Sequence, residues 1–382
     1  MPVREWGGDW MRGERWRRGS LLERMALHWK GPRPRRDESL DIFGELRRAE
    51  RILLVPNDRV GGLFMGAPVY KAVRAHYPDA HIALLTKPDD ARLAASIPFV
   101  NRVLTAPLEE QIWSAAYHDF VDDLRRDLYD VAICLGPDCS FRLAQLCGLS
   151  GARLRVGFQR DVETCFNLEI VRQREEPFEV EQGLSLVRLL GVESCGDVSW
   201  AIGEGKGNQL RERYLDGEFS TGHVVAVDLG RGEGTGLNGR QLDDIVGRVI
   251  ERGARAVLFF SLAERKQVNY LTKTYGSRVI PFEEDDLAGV AALLQGCRAL
   301  IACNTNVLHL ALSLDIPTVG IFDEDARRWV SGRNQLVEII EERDLRTISI
   351  SRVVDGLDRA LRRDSIYDRQ VVDGAGSAPS TA

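Results

Sequence analysis

The stretch Arg298–Phe322, RALIACNTNVLHLALSLDIPTVGIF, decides the fold. Ala299 to Ala302 is a short apolar run, the pattern of a strand buried on both faces of a parallel sheet. Asn304, Thr305 and Asn306 then interrupt it with side chains that favour turns and helix N-caps. Leu308, Ala311 and Leu312 follow at helical spacing. Asp315 and Pro317 stop that helix, and a second apolar run, Thr318 to Phe322, begins. Such a unit sets a helix N-terminus at the carboxyl end of a parallel strand, where open α/β sheets bind anions. The plainer reading is a single βαβ crossover of a large sheet.

The same alternation extends outward in both directions. Towards the N-terminus, strands are predicted at His223–Leu229, Ala256–Phe260 and Ser277–Ile280, with helices at Gln241–Arg252, Ala263–Tyr275 and Leu287–Gln295. A charged stretch, Arg172 to Glu181, lacks any apolar period and marks a domain boundary, after which Leu184–Leu190 opens a connecting helix. Before it, strands are predicted at Arg51–Pro56, His81–Leu85, Arg102–Leu104, Val131–Leu135 and Leu154–Gly157. Helices are predicted between them at Leu63–His76, Asp89–Ser96, Ala116–Arg126 and Ser140–Cys147. Strands alternating with helices imply parallel βαβ units. The expected architecture is α/β, with two doubly wound, Rossmann-like parallel-sheet domains facing a cleft. The bounds are 46–178 for an N-terminal acceptor domain and 179–345 for a C-terminal donor-nucleotide domain. A C-terminal helix over 346–370, centred on Arg352–Arg363, and a disordered tail over 371–382 complete the chain.

Residues 1–45 form a separate basic, Trp-rich extension. Ten cations between Arg4 and Arg36, and four of the seven tryptophans (Trp6, Trp10, Trp16, Trp29), fall there. Basic residues beside interfacial aromatics suit an anionic membrane surface; the alternative is an extension docked on the folded body. The net charge of −6 over 382 residues argues against a nucleic-acid partner. Seven scattered cysteines without a CxxC pair read as reduced. No apolar run approaches the roughly 18 residues of a membrane helix. The expected location is cytoplasmic, and peripheral at the inner face of the cytoplasmic membrane if the extension is a membrane-surface element.

Phosphate-loop, HExxH and clustered His/Cys patterns are missing, so no metal and no cofactor are expected. The loop from Gly230 through Arg231 to Gly236 follows a strand and precedes a helix, but its spacing is not GxGxxG. It reads either as a phosphate-cradling loop with Arg231 as counter-charge or as a flexible cover. His309, early in its helix, is either a donor ligand or a hydrogen-bonded structural residue. Asp58 and Arg59 occupy the first strand-to-helix loop, where a catalytic carboxylate or a helix cap would sit.

Several ordered motifs resemble glycosyltransferase family 9, the ADP-heptose:lipopolysaccharide heptosyltransferase-like enzymes of GT-B fold. Asp58-Arg59-Val60-Gly61-Gly62 through Pro68 is similar to the family's D-R-x-G-D-x-x-x-x-x-P, and Ile97 through Val103 to its N-P-Y-V-D-x-V. Tyr129-Asp130-Val131 through Gly157-Phe158 resembles its Y-D-x-x-I-D-L and R-x-G-F. Cys303 through Ala311 resembles N-D-[ST]-G-P-x-H-L-A, and Phe322 with Arg327-Arg328-Trp329 resembles its F-G and R-x-W. The chain departs from the pattern too. The family's second loop acid, its expected base, falls on Gly62. The acid of N-D-[ST]-G falls on Asn304 and its glycine on Asn306, and the family's P-x-K-x-W is not legible in Gly230–Arg240.

The resemblance implies transfer of a sugar, heptose by analogy, from a nucleotide-diphosphate donor such as ADP-heptose to a lipopolysaccharide or other glycan or glycolipid acceptor. It implies Asn304, Thr305, Asn306 and His309 on the donor side, to which the loop reading above adds Gly230 and Arg231, with Arg59, Gly61 and Gly62 in the acceptor loop and a carboxylate base. With glycine at 62, Asp58 is the nearest acid: the expectation is either weak activity that Asp58→Asn reduces further, or no activity, which Gly62→Asp partly restores. The alternative is a family member that binds sugar nucleotides, or assembles with partners, without turnover.

Overall fold

The computed structural model describes residues 40–374, apart from 60, 96, 161–164, 173–177, 194–208, 210–213, 215–223, 231–235, 284–286, 324–325 and 331–335, together with 22, 23 and 25. The four N-terminal tryptophans, most of the basic extension, Arg231 and the tail after Gly374 lie outside the described residues. The chain divides into two compact units, Met1–Val198 and Ser199–Ala382.

The first unit holds β1 (Arg51–Val55), β2 (His81–Thr86), β3 (Arg102–Thr105), β4 (Val131–Cys134), β5 (Leu154–Phe158) and β6 (Leu168–Ile170). They form one parallel sheet in the order β3-β2-β1-β4-β5-β6. In register, Leu53 pairs with Ala83 on one side and Ala132 on the other. β1, β4 and β5 are buried almost throughout, as continuous apolar runs demand when helices cover both faces. Between β1 and β2 the expected single helix is two, α1 (Gly62–Met65) and α2 (Ala67–His76), broken at Gly66. Next come α3 (Ala115–Arg126) and α4 (Phe141–Leu149), whose N-caps Ser114 and Ser140 accept from the backbone N–H groups of Tyr117 and Leu143. Tyr117, Val121, Leu143 and Leu146 close over Leu53, Val55 and Ala132 to make the core.

The helix placed by sequence at Leu184–Leu190 is longer, α5 (Glu179–Leu189), and belongs to the first unit. It packs on α2, close enough that a Cβ at Gly183 would meet Val69 Cγ2 at 3.2 Å. The expected boundary after 178 therefore differs from the contact boundary at Val198/Ser199. Glu179, which falls within the charged stretch Arg172–Glu181, is buried.

The second unit repeats the plan with β7 (Val224–Asp228), β8 (Arg255–Phe260), β9 (Val279–Glu283), β10 (Ala299–Cys303), β11 (Thr318–Phe322) and β12 (Val337–Glu341). All neighbours are parallel, in the order β12-β11-β10-β7-β8-β9. Its helices include α6 (Gly239–Glu251), opened by an Asn238/Gln241 capping box, and α7 (Asn306–Ser313). A final helix, α8 (Ile350–Gly374), lays Val353, Leu357 and Ala360 into the same core as Ile245 and Val319. In each sheet the first strand of the unit lies beside the fourth, so the strand order reverses between β1 and β4 and again between β7 and β10. Ligands of open parallel sheets bind outside the strand carboxyl ends at such a reversal.

Candidate functional site

In the first unit, β1 ends at Val55 and the chain turns through Asn57, Asp58 and Arg59. Gly61, with φ of 72°, allows the turn into α1. Asn57, in the loop just after β1, is buried. Its Nδ2 donates to Glu179 Oε2 at 2.8 Å, while its Oδ1 accepts from the Arg59 amide at 3.2 Å. A small pocket opens here, lined among others by Asn57, Gly62, Gly66, Gly136 and Glu179. Gly62 and Gly136 are glycines because Asn57 fills the space beside them. A Cβ at 136 would lie 2.7 Å from Asn57 Cβ, and one at 62 would lie 2.0 Å from the Asn57 carbonyl oxygen.

That last distance corrects the expectation for Gly62→Asp. The loop as folded has no room for any side chain at 62, and the obstacle is backbone rather than a movable side chain. Asp58 does not line the pocket. Its Oδ1 accepts from the Ser140 amide at 2.9 Å and so ties the β1 loop to the start of α4. Lys87, paired with Asp90 at 3.6 Å, donates to the Asp58 carbonyl at 3.3 Å.

In the second unit, β7 ends on Asp228, only 2 % exposed. Its Oδ1 accepts from the Gly230 amide at 2.8 Å, and its Oδ2 accepts from the Thr305 hydroxyl. Thr305 is the N-cap of α7, and its Oγ1 accepts from the Leu308 amide at 3.3 Å. One hydroxyl thus links the carboxyl end of β7 to the first turn of the helix after β10. Gly230, Asn304, Thr305, Asn306 and His309 all belong to this neighbourhood by chain position. Arg231 lies outside the described residues.

His309 is 3 % exposed. Its Nε2 lies 2.8 Å from Asn304 Oδ1, and because a carboxamide oxygen only accepts, Nε2 carries the proton. The ring tilts against Trp329 with centroids 5.7 Å apart, and Arg328 lies over that indole at 4.8 Å. Burial pushes the His309 pKa down to about 3, so the imidazole is neutral at ordinary pH and acts as a dipole, not a cation.

Asn57, Glu179 and Asp228 were absent from the residues expected by sequence. Asp228 carried a signal, an acid closing the apolar run VVAVD at a strand's carboxyl end. Glu179 was hidden inside QREEPFEVE.

Two parallel six-stranded sheets of the same order make this a two-unit α/β protein of GT-B-like fold. A profile of glycosyltransferase family 9 (heptosyltransferase) matches residues 117–344, and the chain belongs to that family. A putative glycosyltransferase of Haemophilus influenzae is 23 % identical over 299 residues, 73 % of this chain and 85 % of that one. Among solved structures, the family 9 glycosyl transferase of Veillonella parvula superposes with a TM-score of 0.72 at 15 % identity, covering 86 % of this chain and 100 % of that one. E. coli ADP-heptose lps heptosyltransferase II gives 0.67 at 18 %, covering 82 % and 99 %. E. coli heptosyltransferase WaaC, solved with ADP, gives 0.66 at 16 %, covering 81 % and 99 %. No described helix is long and apolar enough to cross a membrane, and no described cluster of His, Cys, Asp and Glu could hold a metal.

Proposed function

We propose that the protein transfers a sugar from a nucleoside-diphosphate donor to a hydroxyl of a glycan or glycolipid. The family argues for heptose as the sugar, ADP-heptose as the donor and lipopolysaccharide as the acceptor. The observation that carries the donor half is the Asp228–Thr305–Leu308 chain of hydrogen bonds. It fixes the start of α7 beside Gly230 at the reversal of the second sheet, so backbone N–H groups need no reorganisation to meet a diphosphate. Asp228 spends its negative charge on Thr305 and Gly230, which limits its repulsion of the donor.

In the reaction the acceptor oxygen bonds to the anomeric carbon as the bond from that carbon to the diphosphate breaks. The electron pair leaves on the diphosphate, and a carboxylate takes the acceptor proton. Neutral His309 braces Asn304 beside this helix start. Titration calorimetry with ADP, UDP and GDP tests the donor half: binding of one of them, weakened in Thr305→Val, is expected. Absence of binding by all three at millimolar concentration refutes it.

The second reading, a sugar-nucleotide-binding or assembly protein without turnover, draws on the absence of space for an acid at 62. It predicts nucleotide binding without release of nucleoside diphosphate from any sugar nucleotide. Residues 1–45 add an anionic membrane surface as a further partner, consistent with a peripheral position.

A further inference from the structure

We infer that Glu179 is the catalytic carboxylate of the acceptor pocket, taking over the task that position 62 cannot perform; this rests on the glycosyl-transfer reading above. The pocket lies at the β1/β4 reversal of the first sheet, formed by the loops that leave both strand ends. Glu179 lines it together with Gly62. A single side chain, Asn57, bridges the two: its Cβ lies 3.0 Å from where a Cβ at 62 would stand, and its Nδ2 is 2.8 Å from Glu179 Oε2. The carboxylate therefore reaches the region that an acid at 62 would serve, from α5 instead of from the β1 loop.

Three features suit Glu179 to base catalysis. It is 5 % exposed, so its charge acts at short range with little competition from bulk water. It sits in the first turn of α5, so the start of that helix fixes its backbone beside the pocket. Asn57 donates to one oxygen, which orients the carboxyl group within the pocket it lines. The Asn57 amide is itself fixed by the Arg59 N–H on its oxygen. Gly62 and Gly136 supply the room for this arrangement, since any Cβ at either would displace Asn57. Asp58 is not part of this lining; its Oδ1 accepts from the Ser140 amide at the start of α4.

The proposed step balances simply. The acceptor O–H gives its proton to Glu179, its oxygen bonds to the anomeric carbon, and the diphosphate leaves with the electron pair. Water in place of the acceptor gives the free sugar by the same route.

The test follows release of nucleoside diphosphate from ADP-heptose, with water as acceptor, in wild type, Glu179→Gln and Glu179→Ala, beside calorimetric titration of ADP into each. Glutamine keeps an oxygen for Asn57, so a purely structural role would survive that change. Expected are unchanged ADP binding, a rate about 10²–10⁴-fold lower in Glu179→Gln, and partial rescue of Glu179→Ala by added formate. Turnover of Glu179→Gln within a few-fold of wild type overturns the inference. So does a rate lost together with ADP binding, or a Glu179→Ala variant that formate leaves unimproved. Wild type that binds ADP and releases nothing overturns it also. Wild type that binds no nucleotide at all refutes the glycosyl-transfer reading itself, and the titration separates that result from the others.

Discussion

Thr305 donates its hydroxyl to the buried carboxylate of Asp228 and, through the same oxygen, caps the Leu308 amide of the following helix. Removing the hydroxyl breaks both bonds at once. Thr305→Val preserves shape but strands a buried carboxylate oxygen and uncaps α7, at a cost of about 2–4 kcal/mol. Thr305→Ser keeps both bonds and costs less than half as much. Urea unfolding measures the stability, and calorimetry with ADP measures the accompanying loss of affinity.

His309 gives a pH dependence whose sign is set by burial. Its pKa falls from 6.5 in the unfolded chain to about 3 in the fold. The unfolded state therefore binds more protons between these values, and stability present above about pH 6.5 is lost as pH falls towards 3. This one group contributes a slope of up to about 1.4 kcal/mol per pH unit in that window. Denaturant unfolding of wild type and His309→Asn at pH 7, 6 and 5 should give steeper acid loss in wild type. Over pH 7–8 the imidazole stays neutral, so donor binding should show no titration from it.

The two sheets were legible because parallel strands covered on both faces are unbroken apolar runs, and Thr318–Phe322 matches its strand residue for residue. β6 and β12 escaped because neither is an unbroken apolar run: Leu168–Ile170 is half-buried throughout, and β12 carries Glu338 and Glu341, burying Val337, Glu338 and Ile340 while exposing Ile339 and Glu341. Thr305 was legible as a breaker of an apolar run, and it is the N-cap. Glu179 was not, because its burial depends on Asn57, 122 positions away in sequence. Local composition carries no trace of such a pair.

Asp58→Asn and Asp58→Ala separate loop-tying from proton transfer. Asparagine retains an oxygen for the Ser140 amide, so it should lower turnover less than Glu179→Gln does. Alanine leaves that buried N–H without its acceptor, at about 1–3 kcal/mol. Thermal unfolding and the rate of nucleoside diphosphate release, measured on the same preparations, compare the two effects. A larger rate loss in Asp58→Asn than in Glu179→Gln would return the base to the β1 loop.

Gly62→Asp should harm rather than help. Its Cβ would stand 2.0 Å from the Asn57 carbonyl oxygen, so the backbone of the β1 loop must move to admit it. Overpacking of this kind typically costs about 1–3 kcal/mol, and the movement also takes Asn57 away from Glu179. The expected outcome is a lower melting temperature and no gain in turnover. A variant that melts like wild type and releases nucleoside diphosphate faster would mean that the loop relaxes around the new acid.

The basic extension yields a prediction independent of the pocket. Deleting residues 1–39 should abolish co-sedimentation with vesicles rich in anionic lipid, since each basic residue near such a surface contributes about 1 kcal/mol. Binding of the full chain should fall with added salt as the charges are screened. The deletion also removes Glu23, which pairs with Arg142 at 2.8 Å near the start of α4. A partly exposed pair of this kind is worth about 0–1 kcal/mol, so the remaining fold should lose little stability. Equal sedimentation of the full-length and shortened proteins would assign the extension to the folded body instead of a membrane surface.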